Sequence, residues 1–170
     1  QLRVSVPNPT PSQVEEWYRQ NKSKVGKKYN FRMIYIPVHG NEMQVSNNMK
    51  AARAMAGSTA AGFASAAAKY SQHPSRNRGG LLVDQRLDQV AQMDPIVAGA
   101  VNGTPQGQVS QVFVGANGGY YCVRVESSRA IGLDEVYDNV RAILYSQNEQ
   151  LEYGRWLKEQ RKKIAVTIYI

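Results

Sequence analysis

Between Asn41 and Tyr70 the chain places ten alanines and only two β-branched residues, Val45 and Thr59. Alanine is the best helix former, and strands select β-branched and aromatic side chains, so this segment is predicted to be helical. Gly57-Ser58 divides it, giving two helices whose small side chains let them pack closely. The flanking stretches have the opposite character. Tyr29–Val38 is rich in aromatic and β-branched residues and reads as a strand, with Pro37 at the sheet edge or exit. Val109–Val114 and Tyr120–Glu126 read as two more strands, joined antiparallel across the loop Gly115-Ala-Asn-Gly-Gly119. Strands on either side of a helical pair define an α+β fold built on an antiparallel sheet. The 170 residues suffice for one ordinary core, or for a small domain with an attached helical element.

Local signals place the remaining elements. Thr10 is a helix cap with Pro11 at the first helical position and Gln13 three residues on; Val14, Trp17 and Tyr18 follow at helical spacing, and Gly26 closes the helix. Ser71–Gly80 has loop composition. Short helices are expected near Leu87–Ala91 and from Asp94 to Val101, before Asn102-Gly103, Pro105 and Gly107 interrupt regular structure. After Gly132, the apolar residues Val136, Val140, Ile143, Leu144, Leu151 and Leu157 keep helical spacing to Lys163. Leu2–Val6 and Val166–Ile170 read as two short strands, each too exposed to stand alone, so they are expected to pair as a clasp between the termini.

The net charge of +8 favours acidic partners. Lys and Arg are nevertheless spread along the chain, and their densest groups, Lys22–Lys28 and Arg161–Lys163, fall where helices end and cations complement the helix dipole. The single cysteine, Cys122, excludes an internal disulfide and lies in a strand, where it reads as a small buried hydrophobe. With His39 and His73 it offers no metal-ligand spacing, and neither a Gly-x-Ser-x-Gly elbow nor a phosphate-binding glycine loop is present. No apolar run approaches the roughly 20 residues that a bilayer requires. Gln1 in place of an initiator Met implies removal of upstream residues, so the absence of a targeting signal is uninformative.

The order strand, two helices, Gly-Gly loop, short helices and hairpin resembles the parvulin family of peptidyl-prolyl isomerases (rotamases). Four strings carry the likeness in the correct order: Phe63-Ala-Ser-Ala-Ala-Ala-Lys-Tyr-Ser71, Gly79-Gly80-Leu81-Leu82, Gly107-Gln-Val-Ser110 and Gly119-Tyr-Tyr-Cys-Val-Arg-Val-Glu126. The flanks, Pro11–Lys28 and Trp156–Ile170, resemble the segments that bracket the parvulin domain in SurA- and PrsA-type extracytoplasmic folding factors. The resemblance thus implies three parts: residues 1–28 and 130–170 as shares of a chaperone domain, and residues 29–129 as a parvulin-like domain, an antiparallel sheet surrounded by helices. It also implies unfolded or extended client polypeptides as partners, such as outer-membrane or secreted proteins, a periplasmic or other extracytoplasmic location, and no cofactor, metal or nucleic acid.

Prolyl isomerisation must lower a rotational barrier of about 18–20 kcal/mol, which a protein achieves by binding the twisted amide better than either planar form. Parvulins surround an apolar proline pocket with two strand histidines, a Cys or Asp, and a hydroxyl. Carried onto this chain, the first histidine falls on Met33, the second on Tyr121, the Cys or Asp on His73, and the hydroxyl near Asn117 or Gly118. The pocket positions fall on Leu82, Met93, Val97 and Phe113. With both histidines replaced and the pocket retained, the resemblance implies a client-binding folding factor with weak or absent isomerase activity. The alternative is an active isomerase that uses His73 and Tyr121 in a rearranged polar shell.

Overall fold

The computed structural model describes residues 5–163; of the expected clasp of terminal strands, residues 2–4 and 166–170 fall outside them. In chain order the elements are α1 (Pro11–Gln20), α2 (Lys22–Val25), β1 (Lys27–Ile36), α3 (Glu42–Ala56), α4 (Ala60–Tyr70), β2 (Leu81–Arg86), α5 (Leu87–Met93), α6 (Pro95–Gly103), β3 (Phe113–Val114), β4 (Tyr120–Ala130) and α7 (Leu133–Lys163). A 3-10 helix, Pro74–Arg78, lies within the loop after α4. They form two compact units, one from Gly26 to Ala130 and one from the flanking segments.

The central unit is a four-stranded antiparallel sheet in the order β2-β1-β4-β3. Strand side chains alternate between faces. Phe31, Met33, Tyr121, Val123 and Val125 therefore share one face, covered by Val90 of α5 and by Val97 and Val101 of α6. Ile34, Ile36 and Cys122 share the other, covered by Met49, Ala52 and Ala56 of α3 and by Phe63, Ala66 and Ala67 of α4. Ala52, Ala56, Ala66 and Ala67 thus do serve close packing, at zero exposure between two helices and a sheet. Phe31, Phe63, Ile34 and Met49 are fully buried, each stabilising the unit by roughly 1.5–3 kcal/mol.

Three strand assignments differ from the sequence expectation. β2 was not foreseen: it is an edge strand whose alternation is broken by a bulge opposite Asn30, where Asp84 takes φ 55° and donates its amide to Asn30 Oδ1 at 2.8 Å. β4 continues to Ala130, four residues past Glu126, by pairing its polar end with the start of β1. The expected strand Val109–Val114 shrinks to Phe113–Val114 and an isolated bridge between Val109 and Arg124. Its ladder is interrupted because the Val123 amide donates to the Ser110 hydroxyl, at 3.0 Å, rather than to a backbone carbonyl.

In the flanking unit, α1 begins with the expected capping box: Thr10 accepts from the Gln13 amide, and the Gln13 side chain accepts from the Thr10 amide. The single expected helix is two, because the chain turns at Asn21 before α2. Val14, Val25, Ile131, Val136 and Val140 form the core between α1 and α7, and the Tyr18 hydroxyl donates to the Ile131 carbonyl at 2.7 Å. Helix α7 runs 31 residues, with Asp134 and Glu135 in its first turn and Arg161–Lys163 in its last, as the macrodipole favours.

Candidate functional site

A pocket of about 230 Å3 opens on the sheet face that α5 and α6 cover. Its floor comes from β1, where period two brings Phe31, Met33 and Tyr35 to the same side. β4 adds Tyr121, directly opposite Tyr35 and diagonal to Met33 in the strand register. Leu82 comes from β2, Val90, Met93, Asp94 and Val97 from the α5–α6 corner, His73 from the loop after α4, and Asn117 from the β3–β4 loop.

Met33, His73, Tyr121, Leu82, Met93 and Val97, which the sequence placed in a site, are thus brought together. Phe113 stands behind the wall, stacked on Tyr121 with ring centroids 5.7 Å apart. Cys122 lies on the opposite face of the sheet, fully buried, and burial pushes its thiol pKa up. Phe31, Tyr35, Val90 and Asp94 were missed. The alternation of β1 was the available signal for Phe31 and Tyr35.

Backbone geometry explains how the loops reach the site. Gly80 holds φ 76°, and a Cβ there would stand 2.6 Å from the Met33 carbonyl oxygen; only glycine lets this loop lie against β1, where the Met33 amide donates to the Gly80 carbonyl at 3.0 Å. Arg32 Nη1 donates to the Gly79 carbonyl at 2.8 Å and fixes the same turn. Upstream in this loop, His73 caps the 3-10 helix. Its Nδ1 accepts from the Ser75 amide at 3.1 Å and meets the Ser75 hydroxyl at 2.7 Å. An Nδ1 that accepts leaves the imidazole proton on Nε2. Burial first, and the Arg78 charge second, lower the His73 pKa and keep the ring neutral.

On the other wall, Asp94 is 5% exposed and wholly engaged. One oxygen accepts from the amides of Ile96 at 2.9 Å and Val97 at 3.3 Å, capping α6; the other accepts from the Ala116 amide at 2.8 Å. The carboxylate therefore straps the β3–β4 loop to the helix start. Gly115 makes this possible, since a Cβ there would overlap both Asp94 Oδ2 and the Tyr121 ring. The strapped loop presents Asn117, whose Oδ1 accepts from the Gly119 amide at 2.9 Å and whose Nδ2 donates to the hydroxyls of Tyr121 at 2.7 Å and Tyr35 at 3.3 Å. The two tyrosine rings stack at 4.7 Å. Burial raises the Tyr121 phenol pKa, against the opposing effect of the Asn117 hydrogen bond, so the hydroxyl stays protonated. No group of His, Cys, Asp and Glu that could hold a metal exists among the described residues.

An apolar floor, an aromatic wall and converging loops thus meet on one face of an antiparallel sheet. The chain belongs to the PPIC-type PPIase domain family, whose model matches residues 9–141. The fold is similar to a solved structure reported for two SurA-like chaperones of Campylobacter jejuni, the virulence factor PEB4 and the periplasmic protein Cj1289. Identity is 21% and the TM-score 0.51, over 96% of this chain and 65% of that one. The chain thus spans just under two thirds of that protein's length. It is also similar to the peptidylprolyl isomerase PrsA of Bacillus anthracis, at 18% identity and TM-score 0.50 over 94% of this chain and 67% of that one. A PpiC-type peptidyl-prolyl cis-trans isomerase domain, 22% identical with a TM-score of 0.51, covers 64% of this chain with 96% of its own length. No curated protein matches the sequence.

Proposed function

We propose that the chain is part of an extracytoplasmic folding factor of the periplasm or cell envelope, which holds unfolded client polypeptides by seating prolyl and apolar side chains in this pocket and accelerates their isomerisation weakly or not at all. The observation that carries the reading is the convergence of Met33, Tyr121, Leu82, Met93 and Val97 on one apolar cavity. A cavity of roughly 150 Å3 accommodates benzene, so about 230 Å3 has room for a pyrrolidine ring and part of a neighbouring side chain. Apolar residues at and near the lining positions are exposed: Met93 is 67% exposed, and Val83, Ile96 and Val114 are also open to solvent. Such a surface suits extended apolar segments, as in outer-membrane or secreted proteins before they fold. Met33 and Tyr121 stand where the family resemblance expects histidines, so a thioether and an aromatic face replace two polar groups and favour retention over turnover. Residues 1–28 and 130–170 belong, on this reading, to a chaperone part around a parvulin-like domain at 29–129.

Titration of the protein with proline-containing peptides, followed through methyl NMR signals of Met33 and Met93, tests the reading. Perturbation of both signals and suppressed aggregation of an unfolded client are expected; a protein that does neither would refute it. The second reading, an active isomerase, is favoured by one observation, the Nε2 hydrogen of His73 in the pocket. It requires accelerated cis/trans exchange that His73→Ala or Tyr121→Phe abolishes.

A further inference from the structure

We propose that the pocket recognises the carbonyl oxygen of the residue before proline through a wall that only donates hydrogen bonds, built by Asn117 on Tyr35 and Tyr121 and held in place by Asp94. This rests on the prolyl-pocket reading above and names the group recognised. The argument is a count of donors and acceptors. Both Asp94 oxygens are taken by backbone amides, those of Ile96, Val97 and Ala116. Asn117 Oδ1 is taken by the Gly119 amide, which turns its Nδ2 toward the two phenols. Each phenol oxygen therefore accepts from Asn117, and its own hydrogen must point elsewhere. Across the pocket, His73 Nδ1 is taken by Ser75, which leaves the Nε2 hydrogen. The polar side chains lining the cavity thus have three hydrogens left to give, from Tyr35, Tyr121 and His73, while each of their oxygen and nitrogen acceptors already takes at least one hydrogen bond.

A proline offers no N–H, so the preceding carbonyl is the polar group of an Xaa–Pro unit that such a wall can satisfy. The choice of that atom has a chemical consequence. A donor to the amide oxygen favours the charge-separated planar form, in which the C–N bond has its double-bond character. The twisted form loses that charge on oxygen and is bound less well, so the wall holds a prolyl bond planar and slows its exchange while bound. Asp94 acts here as a positioning residue: it touches no ligand but fixes the loop that aims Asn117.

The test is a double-mutant cycle between protein and peptide. A pentapeptide with a central Ala–Pro bond is compared with its thioxo analogue, in which sulfur, a weaker acceptor, replaces that carbonyl oxygen. Wild type is expected to bind the analogue about tenfold more weakly, the worth of a lost hydrogen bond, and Tyr121→Phe to show little further difference between the two peptides. Tyr35→Phe provides the same comparison should Tyr121→Phe fail to fold. Asp94→Ser, which keeps a cap on α6, is expected to be as indifferent to the sulfur as Tyr121→Phe. An equal loss in wild type and in the tyrosine variants would overturn the clamp alone, whereas failure of wild type to bind the oxygen peptide would overturn the pocket reading as well. Full sensitivity to sulfur in Asp94→Ser would remove Asp94 from its positioning role.

Discussion

Replacing Asp94 by alanine removes two separable contributions, and their sizes follow from its three hydrogen bonds. The amides of Ile96 and Val97 lose a helix cap, which is worth about 0.5–2 kcal/mol. The Ala116 amide loses its acceptor, at about 1–3 kcal/mol for an orphaned donor in a part-buried setting. Together the loss is about 1.5–5 kcal/mol. For a chain of this size that lowers the melting temperature by about 3–20 °C. Asp94→Ser separates the two, because a serine at the cap still serves α6 but does not reach Ala116. It is expected to lose only the Ala116 share, about 1–3 kcal/mol, while hydrogen exchange at the Ala116 amide accelerates as in the alanine variant. Urea or thermal unfolding gives the stabilities and amide exchange gives the local effect. The reasoning fails if Asp94→Ala lies within about 0.5 kcal/mol of wild type, or if the serine variant is as destabilised as the alanine one.

Gly115→Ala puts a methyl into the Asp94 carboxylate and the Tyr121 ring, so a loss of about 1–3 kcal/mol is expected from thermal melts; an unchanged melting temperature would contradict the packing of the loop. His73 has a lowered pKa in the folded state, so its contribution to stability is full above its unfolded value near 6.5 and is lost as pH falls through that value toward the folded one. Wild type is therefore expected to lose more stability between pH 7.5 and pH 5 than His73→Gln, and equal losses would show that the ring is not held neutral. Cys122 is fully buried with a raised thiol pKa, so a thiol reagent should modify the native protein roughly a hundredfold or more slowly than the denatured chain. Fast labelling under native conditions would place the thiol elsewhere.

Elements whose signal is local and strong could be read from the sequence. The alanine content of 41–70, the Thr10 capping box and the apolar spacing of α7 each gave the right element, because propensity, capping and packing agree there. Polar pairing was invisible. The end of β4 is held by contacts such as Asn30 Nδ2 to Ser127 Oγ at 3.0 Å, which no hydrophobic pattern announces, and the bulge at Asp84 destroys the alternation by which β2 would have been recognised. The same division holds at the site. Met33, Tyr121 and the Leu82–Val97 group were found through the family resemblance, and the structure brings them together. Asp94 was visible as the start of a helix, but its bond to Ala116, 22 positions away, belongs to the tertiary structure. The donor-only wall follows from where each hydrogen bond already goes, which composition does not contain.

The central claim is that this pocket binds the prolyl bond while speeding its rotation weakly or not at all. Magnetisation-exchange NMR on a labelled Ala–Pro peptide, with the protein present at increasing fractions up to saturation, measures binding and exchange in the same sample. The expected result is saturable shifts in the peptide with an exchange rate equal to the uncatalysed one or below it as the bound fraction rises. Exchange accelerated about tenfold or more by substoichiometric protein, and lost in His73→Ala, would contradict the claim.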